Sequence, residues 1–208
     1  MSEGQLVIIS GFSGVGKGTV VKKIIEKYDD CVVSVSATTR DPRPGEKEGV
    51  HYFYKTREEF KQMIEDDKFL EYAEFVGNLY GTPKDFVEKS IEEGKNVILE
   101  IEVQGTLKVK EEAPDAKLIF VLPPSAEALK DRLVGRGSES TEVIRQRLLR
   151  AAEETEFMDY YDYYVVNGVV EDCAKDIKDI IDDNFNNKLD ESFIKKIKED
   201  IKAFSKGV

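Results

Sequence analysis

The chain has 208 residues, of which 40% are hydrophobic, and this suits one globular domain with a sizeable core or a core with small appendages. Lysine and arginine number 31 against 42 aspartates and glutamates, so the net charge of -11 disfavours general binding of nucleic acid or anionic membranes. The single histidine disfavours Ser-His-Asp and multi-histidine metal chemistry, and two distant cysteines, with no secretory signal or span-length apolar run, favour a reduced cytoplasmic setting.

Short apolar strands alternate with amphipathic helices along the chain. The first strand pattern covers residues 6–9, and a glycine-rich turn leads from it into a helical pattern at 17–28. Further strand patterns lie at 31–35, 97–101, 118–122 and 163–166, and further helical patterns at 103–112, 125–134 and 141–157. This alternation predicts an α/β fold in three layers around a parallel sheet.

One segment interrupts the alternation and predicts a small mixed α+β insertion. It contains a turn-rich loop, an alternating strand pattern at 50–54, and a capping box in which Thr56 and Glu59 begin a helix. A second, shorter segment is rich in glycine and flanked by arginines, as expected of a mobile lid. The predicted boundaries are 36–94 for the insertion, 135–148 for the lid, and 4–35, 95–134 and 149–208 for the core.

The C-terminal segment 189–204 has apolar residues at helical spacing and charged residues on the other face. This pattern predicts an amphipathic helix that packs on the body of the protein. Its lysines leave a role at a membrane surface as an alternative.

A phosphate loop follows the first strand. Residues 11–19 read Gly-Phe-Ser-Gly-Val-Gly-Lys-Gly-Thr, which fits the GxxxxGK pattern in the required position between a strand and a helix. The glycines let backbone amides surround a phosphate, and Lys17 can reach its oxygens. A helix-initiating turn without a ligand is disfavoured, because the strand, the lysine and the helix are all present. The residues expected to hold ATP phosphates are Gly11, Ser13, Gly14, Val15, Gly16, Lys17, Gly18 and Thr19.

Gly18 stands where a serine or threonine usually follows the lysine. The sequence therefore leaves open whether Thr19 reaches Mg²⁺ directly, reaches it through water, or contacts only a phosphate oxygen.

Seven of the eight arginines fall into two groups, which predicts a small local anionic ligand in an otherwise acidic protein. Arginines on a lid suit phosphoryl transfer, because the transferred group carries its charge on its outer oxygens. A nucleotide monophosphate acceptor is already largely ionised at pH 7, so no general base is required. For Arg145 and Arg150 an ordinary surface role is an equal alternative. The groups are Arg40 with Arg43, and Arg132, Arg136, Arg145, Arg147 and Arg150.

Seven motifs in unbroken order resemble the guanylate kinase family of phosphate-loop nucleoside monophosphate kinases. They lie at 34–46, 49–53, 69–75, 78–82, 100–105, 120–125 and 132–137, and the resemblance covers about residues 4–185. It implies transfer of the γ-phosphate of ATP to GMP with Mg²⁺, and small-molecule partners only, ATP and GMP with dGMP left open. We expect no nucleic acid and no membrane, and a monomer or a homodimer.

The resemblance also implies residue roles. The GMP phosphate would be held by Arg40, Arg43, Tyr52 and Tyr80, and the guanine by Ser36, Glu71, Thr82 and Glu102. Catalysis would depend on Lys17, Arg132, Arg136 and Arg147, with Arg136 and Asn167 also binding ATP. Thr19 and Glu100 would serve the metal, Glu100 through water. The family often has aspartate where this chain has Glu100 and Glu102, which makes the metal assignment weaker than that of Lys17.

Plainer interpretations stand beside these roles. Glu71 could be a solvated strand residue, Tyr52 and Tyr80 could be packing aromatics, and Thr82 could cap a helix that begins near Pro83. At the level of function, the alternatives are a non-catalytic guanylate-kinase-like binding module and another nucleoside monophosphate kinase. Retention of Lys17 argues against the first, and the motifs between residues 34 and 82 argue against the second.

Overall fold

A computed structural model describes residues 4–75, 77–134, 141–186 and 189–206. Nine strands and eight α-helices lie in this part of the chain, with a 3₁₀ helix at Thr155–Tyr160. The strands are β1 Leu6–Gly11, β2 Cys31–Val33, β3 Ala37–Thr38, β4 Phe53–Tyr54, β5 Phe69–Phe75, β6 Asn78–Pro83, β7 Asn96–Glu100, β8 Lys117–Leu122 and β9 Tyr163–Val166. The helices are α1 Lys17–Lys27, α2 Arg57–Glu65, α3 Lys84–Glu92, α4 Val103–Glu112, α5 Ala126–Val134, α6 Thr141–Glu154, α7 Val170–Ile181 and α8 Glu191–Lys206.

The main sheet is parallel throughout, in the order β2-β7-β1-β8-β9. The chain moves from β1 to β2 in one direction across the sheet and from β7 to β8 in the other. Since crossovers between parallel strands are right-handed, α1 and α4 lie on opposite faces, and α7 shares the face of α1 because the two helices pack together. The predicted α/β core is confirmed. The reversal of direction at β1 places the phosphate loop where α/β sheets bind ligands.

A second, four-stranded sheet has the order β4-β3-β6-β5 and mixes parallel with antiparallel pairs. It has its own hydrophobic cluster of Ala37, Phe60, Phe69 and Leu79. This is the mixed insertion that the sequence predicts. Helix α3 lies inside the predicted 36–94 region, yet its Val87 belongs to the main core, and the exact boundaries stay a prediction.

The helix start predicted from the capping box is confirmed, and the start of α5 also has a side-chain cap. The Thr56 hydroxyl accepts from Glu59 N at 3.1 Å and the Glu59 carboxylate accepts from Thr56 N at 2.7 Å, which completes the capping box of α2. Ser125 Oγ accepts from Ala128 N at 3.0 Å at the start of α5.

Two local predictions are wrong. The strand predicted at 50–54 is reduced to β4, because Gly49 at φ 70° begins a turn closed by a bond from Gly49 N to Tyr52 O. His51 lies exposed in that turn, and its Nδ1 accepts from Lys47 N. The helix predicted at 141–157 ends at Glu154 and continues as the 3₁₀ helix.

The predicted C-terminal helix is present as α8, which buries Ile197 and Ile201. It packs on α5, α6 and the 3₁₀ helix. Within the described ranges, no helix is both long and apolar enough to cross a membrane.

Candidate active site

The phosphate loop joins the buried strand β1 to α1, as predicted. Gly14 and Gly16 have φ of 87° and 96°, in the left-handed region that favours glycine, so the backbone can turn tightly into the helix. Lys17 Nζ donates to Gly11 O at 2.6 Å and to Phe12 O at 3.4 Å. The lysine thus spans its own loop, and its ammonium lies beside the amides at the start of α1.

Burial and three nearby carboxylates act in opposite directions on the pKa of Lys17. Burial lowers the pKa of its amine below the ordinary 10.5, and Glu154, Glu100 and Glu102 act in the opposite direction. An ammonium with few water contacts is poised to gain from a polyanionic ligand, because phosphate oxygens would replace the missing solvent.

Glu154 is a loop contact that the sequence interpretation missed. This carboxylate is only 8% exposed, and its Oε2 accepts from Ser13 N at 3.0 Å. Burial raises the pKa of the Glu154 carboxyl, while the bond from Ser13 and the charges of Lys17 and Arg150 lower it. The signal was present in the sequence, since Arg147, Arg150 and Glu154 are spaced to form a polar stripe along one helix face.

Arg132 and Asn167 brace the loop from behind. Arg132 donates to Val15 O at 2.8 Å and to Asn167 O at 2.7 Å, and Asn167 Nδ2 donates to Val15 O at 2.9 Å. Asn167 is buried, and its Oδ1 has no partner in the described part of the chain. Arg132, which was predicted to be catalytic, and Asn167, which was predicted to bind ATP, therefore both contact the loop, and in this structure they support its backbone.

Glu100 ends β7 beside the loop. Its carboxylate oxygens lie 3.5 and 3.6 Å from the position that a Cβ on Gly18 would take. Burial raises the pKa of the Glu100 carboxyl, and the Lys17 charge lowers it. Thr19 is exposed on the first turn of α1. The Glu100 carboxylate thus lies close to the start of α1 at Gly18.

The donor set for a metal here consists of one carboxylate and one hydroxyl. The described residues contain no cluster of three or more acidic, histidine or cysteine side chains that could hold a metal ion. Such a sparse set of hard oxygens fits Mg²⁺, which keeps several waters and binds through one or two carboxylates plus substrate phosphates.

A cleft of about 1010 Å³ opens beside the loop, between the start of α4 and α6. Three residues with predicted roles line it, namely Ser13, Glu102 and Arg147. Glu102 is the residue immediately before α4, and its carboxylate accepts a hydrogen bond from Arg150. Glu102 on one wall of the cleft therefore faces the arginines Arg147 and Arg150 of α6 on the other wall.

The predicted phosphate-acceptor residues cluster on the second sheet. The Arg40 guanidinium lies 5.3 Å from the centre of the Tyr52 ring, and the Tyr52 and Tyr80 rings are 6.0 Å apart. The hydrogen bond from Arg40 to Glu46 and the charge of Glu46 raise the pKa of Arg40 above its ordinary value. A hydrogen bond with Tyr80 also contributes. Arg43 is exposed nearby.

Glu46 organises this cluster and was not among the predicted site residues. Both its oxygens accept from Arg40 Nη2, at 2.9 and 3.0 Å, and Oε2 also accepts from Arg43 N and Tyr54 Oη. The bond to Arg40 is the main reason that the pKa of Glu46 falls to about 2. Spacing alone does not reveal this role, because the turn at 40–46 decides which side chains meet.

Glu71 and Thr82 meet across the β5–β6 pair. Thr82 Oγ1 donates to Glu71 Oε1 at 2.8 Å. Burial raises the pKa of the Glu71 carboxyl, with the Thr82 bond and the Lys108 charge acting against it. A Cβ on Gly105 would lie 3.4 Å from Glu71 Oε2, so this glycine of α4 lets the carboxylate approach the helix.

The plainer interpretations of two residues are wrong. Glu71 is not freely solvated, since its carboxylate is mostly removed from water. Thr82 does not cap α3, because Pro83 occupies the capping position and the Thr82 hydroxyl is committed to Glu71. Ser36 is half-buried next to β3, where its carbonyl accepts from Phe53 N. The predicted lid residue Arg136 lies outside the described residues.

Comparison with known proteins gives one consistent family. A family model described as guanylate kinase matches residues 3–184. A guanylate kinase of Clostridium perfringens (strain SM101 / Type A) is 56% identical over 180 residues, covering 86% of this chain and 83% of the relative. One of Oceanobacillus iheyensis is 55% identical over 179 residues, covering 86% of this chain and 87% of the relative. The crystal structure of guanylate kinase from Anaplasma phagocytophilum is similar with a TM-score of 0.67 and 34% identity, covering 89% of this chain and 88% of that chain.

Proposed function

The chain belongs to the guanylate kinase family and transfers the γ-phosphoryl group of ATP to GMP, and we propose that the loop around Lys17 holds the donor while Glu71 selects the acceptor base. The observation that supports the role of Glu71 is its half-buried carboxylate, whose Oε1 accepts from Thr82 and whose burial raises its pKa. The remaining role assignments follow from contacts in the same two regions.

Phosphoryl transfer requires mainly positioning and charge compensation, because the transition state is loose and spreads its charge over the outer phosphoryl oxygens. Lys17 supplies one charge at the loop, where Gly11 O and Phe12 O hold its amine. Arg147 lines the cleft from α6 and supplies a second. Arg132 keeps the loop in shape through Val15, and Arg136, which lies outside the described residues, would add a further charge, as the family resemblance implies.

The acceptor phosphate would lie against Arg40, Arg43, Tyr52 and Tyr80. Glu46 holds the Arg40 guanidinium in place by accepting two bonds from one nitrogen. The other terminal nitrogen of the guanidinium, Nη1, donates to Asp41 O in this structure. A phosphate oxygen offers a stronger, charged acceptor for that nitrogen, so we expect it to exchange partners when GMP binds.

Mg²⁺ is part of the proposal. Thr19 and Glu100 would hold it, Glu100 through water, and when bound it would offset the negative charge of the donor phosphates. Lys17 and Glu100 influence one another electrostatically, so the lysine and the metal would share the compensation of the donor phosphates.

Specificity for guanine follows from the donor pattern of the base. Guanine N1–H and its 2-amino group can both donate to a carboxylate, whereas adenine presents no such pair. With adenine, Glu71 would be desolvated without adequate partners, which is the situation that discriminates most strongly between ligands. Ser36, Thr82 and Glu102 complete the proposed base contacts.

The proposed partners are ATP and GMP alone, in a cytoplasmic protein that binds neither nucleic acid nor membranes and is a monomer or a homodimer. The strongly acidic composition supports the absence of polyanionic partners. A non-catalytic binding module is the less favoured function, because Lys17, Glu100 and the braced loop would have no purpose in it.

The test is ADP release measured with each common nucleoside monophosphate, including dGMP and inosine monophosphate. We expect GMP and dGMP to be the best acceptors, and inosine monophosphate to be weaker because it lacks the 2-amino donor. A Lys17→Met variant should bind GMP normally in calorimetry but lose about a hundredfold to a thousandfold in turnover, as for other single electrostatic groups at a transition state. A preference for AMP or a pyrimidine nucleotide would contradict the role of Glu71.

A further inference from the structure

A chain of contacts connects the proposed acceptor site to the phosphate loop through α6. At one end, Glu154 accepts from Ser13 N at 3.0 Å and is 8% exposed. In the middle, Arg150 Nε lies 3.8 Å from Glu154 Oε1. At the other end, Arg150 Nη2 donates to the carboxylate of Glu102. The Arg150 guanidinium thus lies between two carboxylates. One is Glu154, which accepts from the loop, and the other is Glu102 at the start of α4.

The Glu154 contact is suited to holding the loop rather than to blocking it. Ser13 lies on the first part of the loop, ahead of the amides at the start of α1 that face an incoming phosphate. Inside the loop, Val15 N donates to Phe12 O, so the turn around Ser13 is closed on one side by backbone and on the other by Glu154. Loss of this carboxylate would leave Ser13 N without its partner and free the turn to move.

Arg150 balances the charge of the cleft. Glu102 and Glu154 both line it, and together with Glu100 they are the three carboxylates that act on Lys17. Without Arg150, a polyphosphate would approach more uncompensated negative charge. The Arg150–Glu102 pair is half-exposed, with 42% and 66% of the side chains accessible, so it contributes little to the stability of the free enzyme. A base seated on Glu102 would exclude water from this pair and strengthen it.

We propose that Glu154 and Arg150 are positioning residues for phosphoryl transfer, Glu154 fixing the Ser13 turn of the phosphate loop and Arg150 coupling that turn to Glu102 at the acceptor site. The coupling to GMP depends on the proposed role of Glu102, whereas the contact between Glu154 and the loop does not.

The experiment compares Glu154→Gln, Arg150→Gln and the double variant, with Arg145→Gln as the matched control. Arg145 lies on the same helix and pairs with Glu142, away from the cleft. We expect Glu154→Gln to lower kcat/KM for ATP about tenfold while KM for GMP stays within about twofold, since a charge-assisted bond to the loop is lost. Arg150→Gln should raise KM for both substrates, and Arg145→Gln should behave as wild type.

Because Arg150 and Glu154 act through one chain of contacts, their effects on kcat/KM should not be independent. The double variant should lose less than the product of the two single losses, because Arg150 acts on the loop through Glu154. Arg150→Lys should recover only part of the activity, since a compact ammonium on a flexible stem does not reproduce the planar, forked donor geometry of the guanidinium. Thermal unfolding of each variant separates these effects from a loss of folded protein. If Glu154→Gln folds poorly, Glu154→Asp keeps the charge, shortens the reach, and should show an intermediate loss.

Several results would overturn the proposal. Tighter ATP binding by Glu154→Gln would mean that the carboxylate competes with phosphate. Fully multiplicative losses would remove the coupling, and wild-type kinetics in the folded single variants would remove any positioning role. Absence of GMP-dependent turnover in the wild type would instead refute the proposed function, and calorimetric binding of ADP to wild type and Glu154→Gln would still test the loop contact.

Discussion

At the scale of single residues, the site depends on carboxylates that the fold keeps out of water. Glu71 and Glu154 each have one defined hydrogen-bond donor, and burial raises the pKa of both carboxyl groups. Such groups are costly for the folded state unless a ligand supplies further donors. The cost is an expected feature of a site that gains its full set of partners only when a substrate binds.

Glu71→Gln should weaken GMP binding and at the same time stabilise the free protein. Glutamine offers one acceptor and places an amide donor against the base, so we expect the Kd for GMP to rise by about tenfold to a hundredfold while ATP binding is unchanged. The raised pKa means that the native state holds its proton more tightly than the unfolded state does. Ionisation of Glu71 therefore costs stability as the pH rises from 4.5 through the folded pKa.

Calorimetry with GMP and thermal unfolding between pH 4.5 and 7.5 measure the two effects. The variant should have the higher Tm at pH 7.5, and its advantage should shrink as the pH falls toward 4.5, because protonation of Glu71 removes the charge that burial disfavours. Glu74→Gln is the matched control, because Glu74 lies on the same strand in an exposed pair with Arg57 and should change neither quantity. Equal GMP affinity in Glu71→Gln would exclude contact between Glu71 and the base.

The sequence indicated the chemical role of single residues better than it indicated which residues contact one another. Lys17, Glu71 and Thr82 could be named because motif and residue type point to phosphate or guanine. Glu46 and Glu154 could not, because their partners come from a loop turn and from a separate helix, and a carboxylate in isolation does not indicate which donor it will meet. The closeness of Gly105 to Glu71 escaped notice for a related reason, since it appears only once α4 lies beside β5.

At the scale of elements, hydrophobic periodicity predicted the main sheet well, because its central strands β7, β1 and β8 are mostly buried and its edge strands β2 and β9 are apolar. The sequence interpretation overlooked α7, although Cys173, Ala174, Ile177, Ile180 and Ile181 bury one face at helical spacing. It overestimated β4, since alternating residues at 50–54 resemble a strand while Gly49 turns the chain. The short strands of the insertion are defined by the strands they pair with, as when Phe53 N donates to Ser36 O. The local sequence pattern contains little information about this pairing.

Helix α8 should contribute substantially to stability, even though the matched family model ends at residue 184. Ile197 and Ile201 are 3% and 2% exposed, and Lys198 and Lys202 each lie 2.5 Å from a carboxylate of the 3₁₀ helix, on Asp159 and Glu156. Ile201→Ala should lower the free energy of unfolding by about 2–5 kcal/mol, as expected for truncating a buried isoleucine. Urea unfolding followed by circular dichroism gives this quantity.

Lys195→Ala is the control within the same helix, because Lys195 is 77% exposed and makes only a 4.0 Å pair with Glu199. It should leave the urea midpoint nearly unchanged. A midpoint for Ile201→Ala equal to that of the control would show that α8 is not part of the cooperative unit.

At the scale of the whole molecule, an acidic protein binds two anionic substrates by concentrating its positive groups. Arg147 and Arg150 line the cleft beside the loop that holds Lys17, and Arg40 and Arg43 lie in the segment that follows β3 of the second sheet. The two sheets have separate hydrophobic clusters, so the second sheet can move as a unit. Movement of the insertion and the lid over the core would exclude water, which otherwise competes as phosphoryl acceptor.

This closure can be measured by energy transfer between dyes on introduced cysteines. Cys31 and Cys173 are buried, and burial raises the pKa of each thiol to about 12, so neither should react with maleimide near neutral pH. Glu58→Cys on α2 and Glu127→Cys on α5 place exposed labels on the insertion and on the core. We expect a shorter distance only when GMP and a non-hydrolysable ATP analogue are both bound, because each substrate alone contacts one side of the closing gap. Labels at Lys22→Cys and Glu127→Cys, both on the core, should keep one distance in every state. Equal transfer in the free and doubly liganded protein would mean that the site excludes water without moving the insertion.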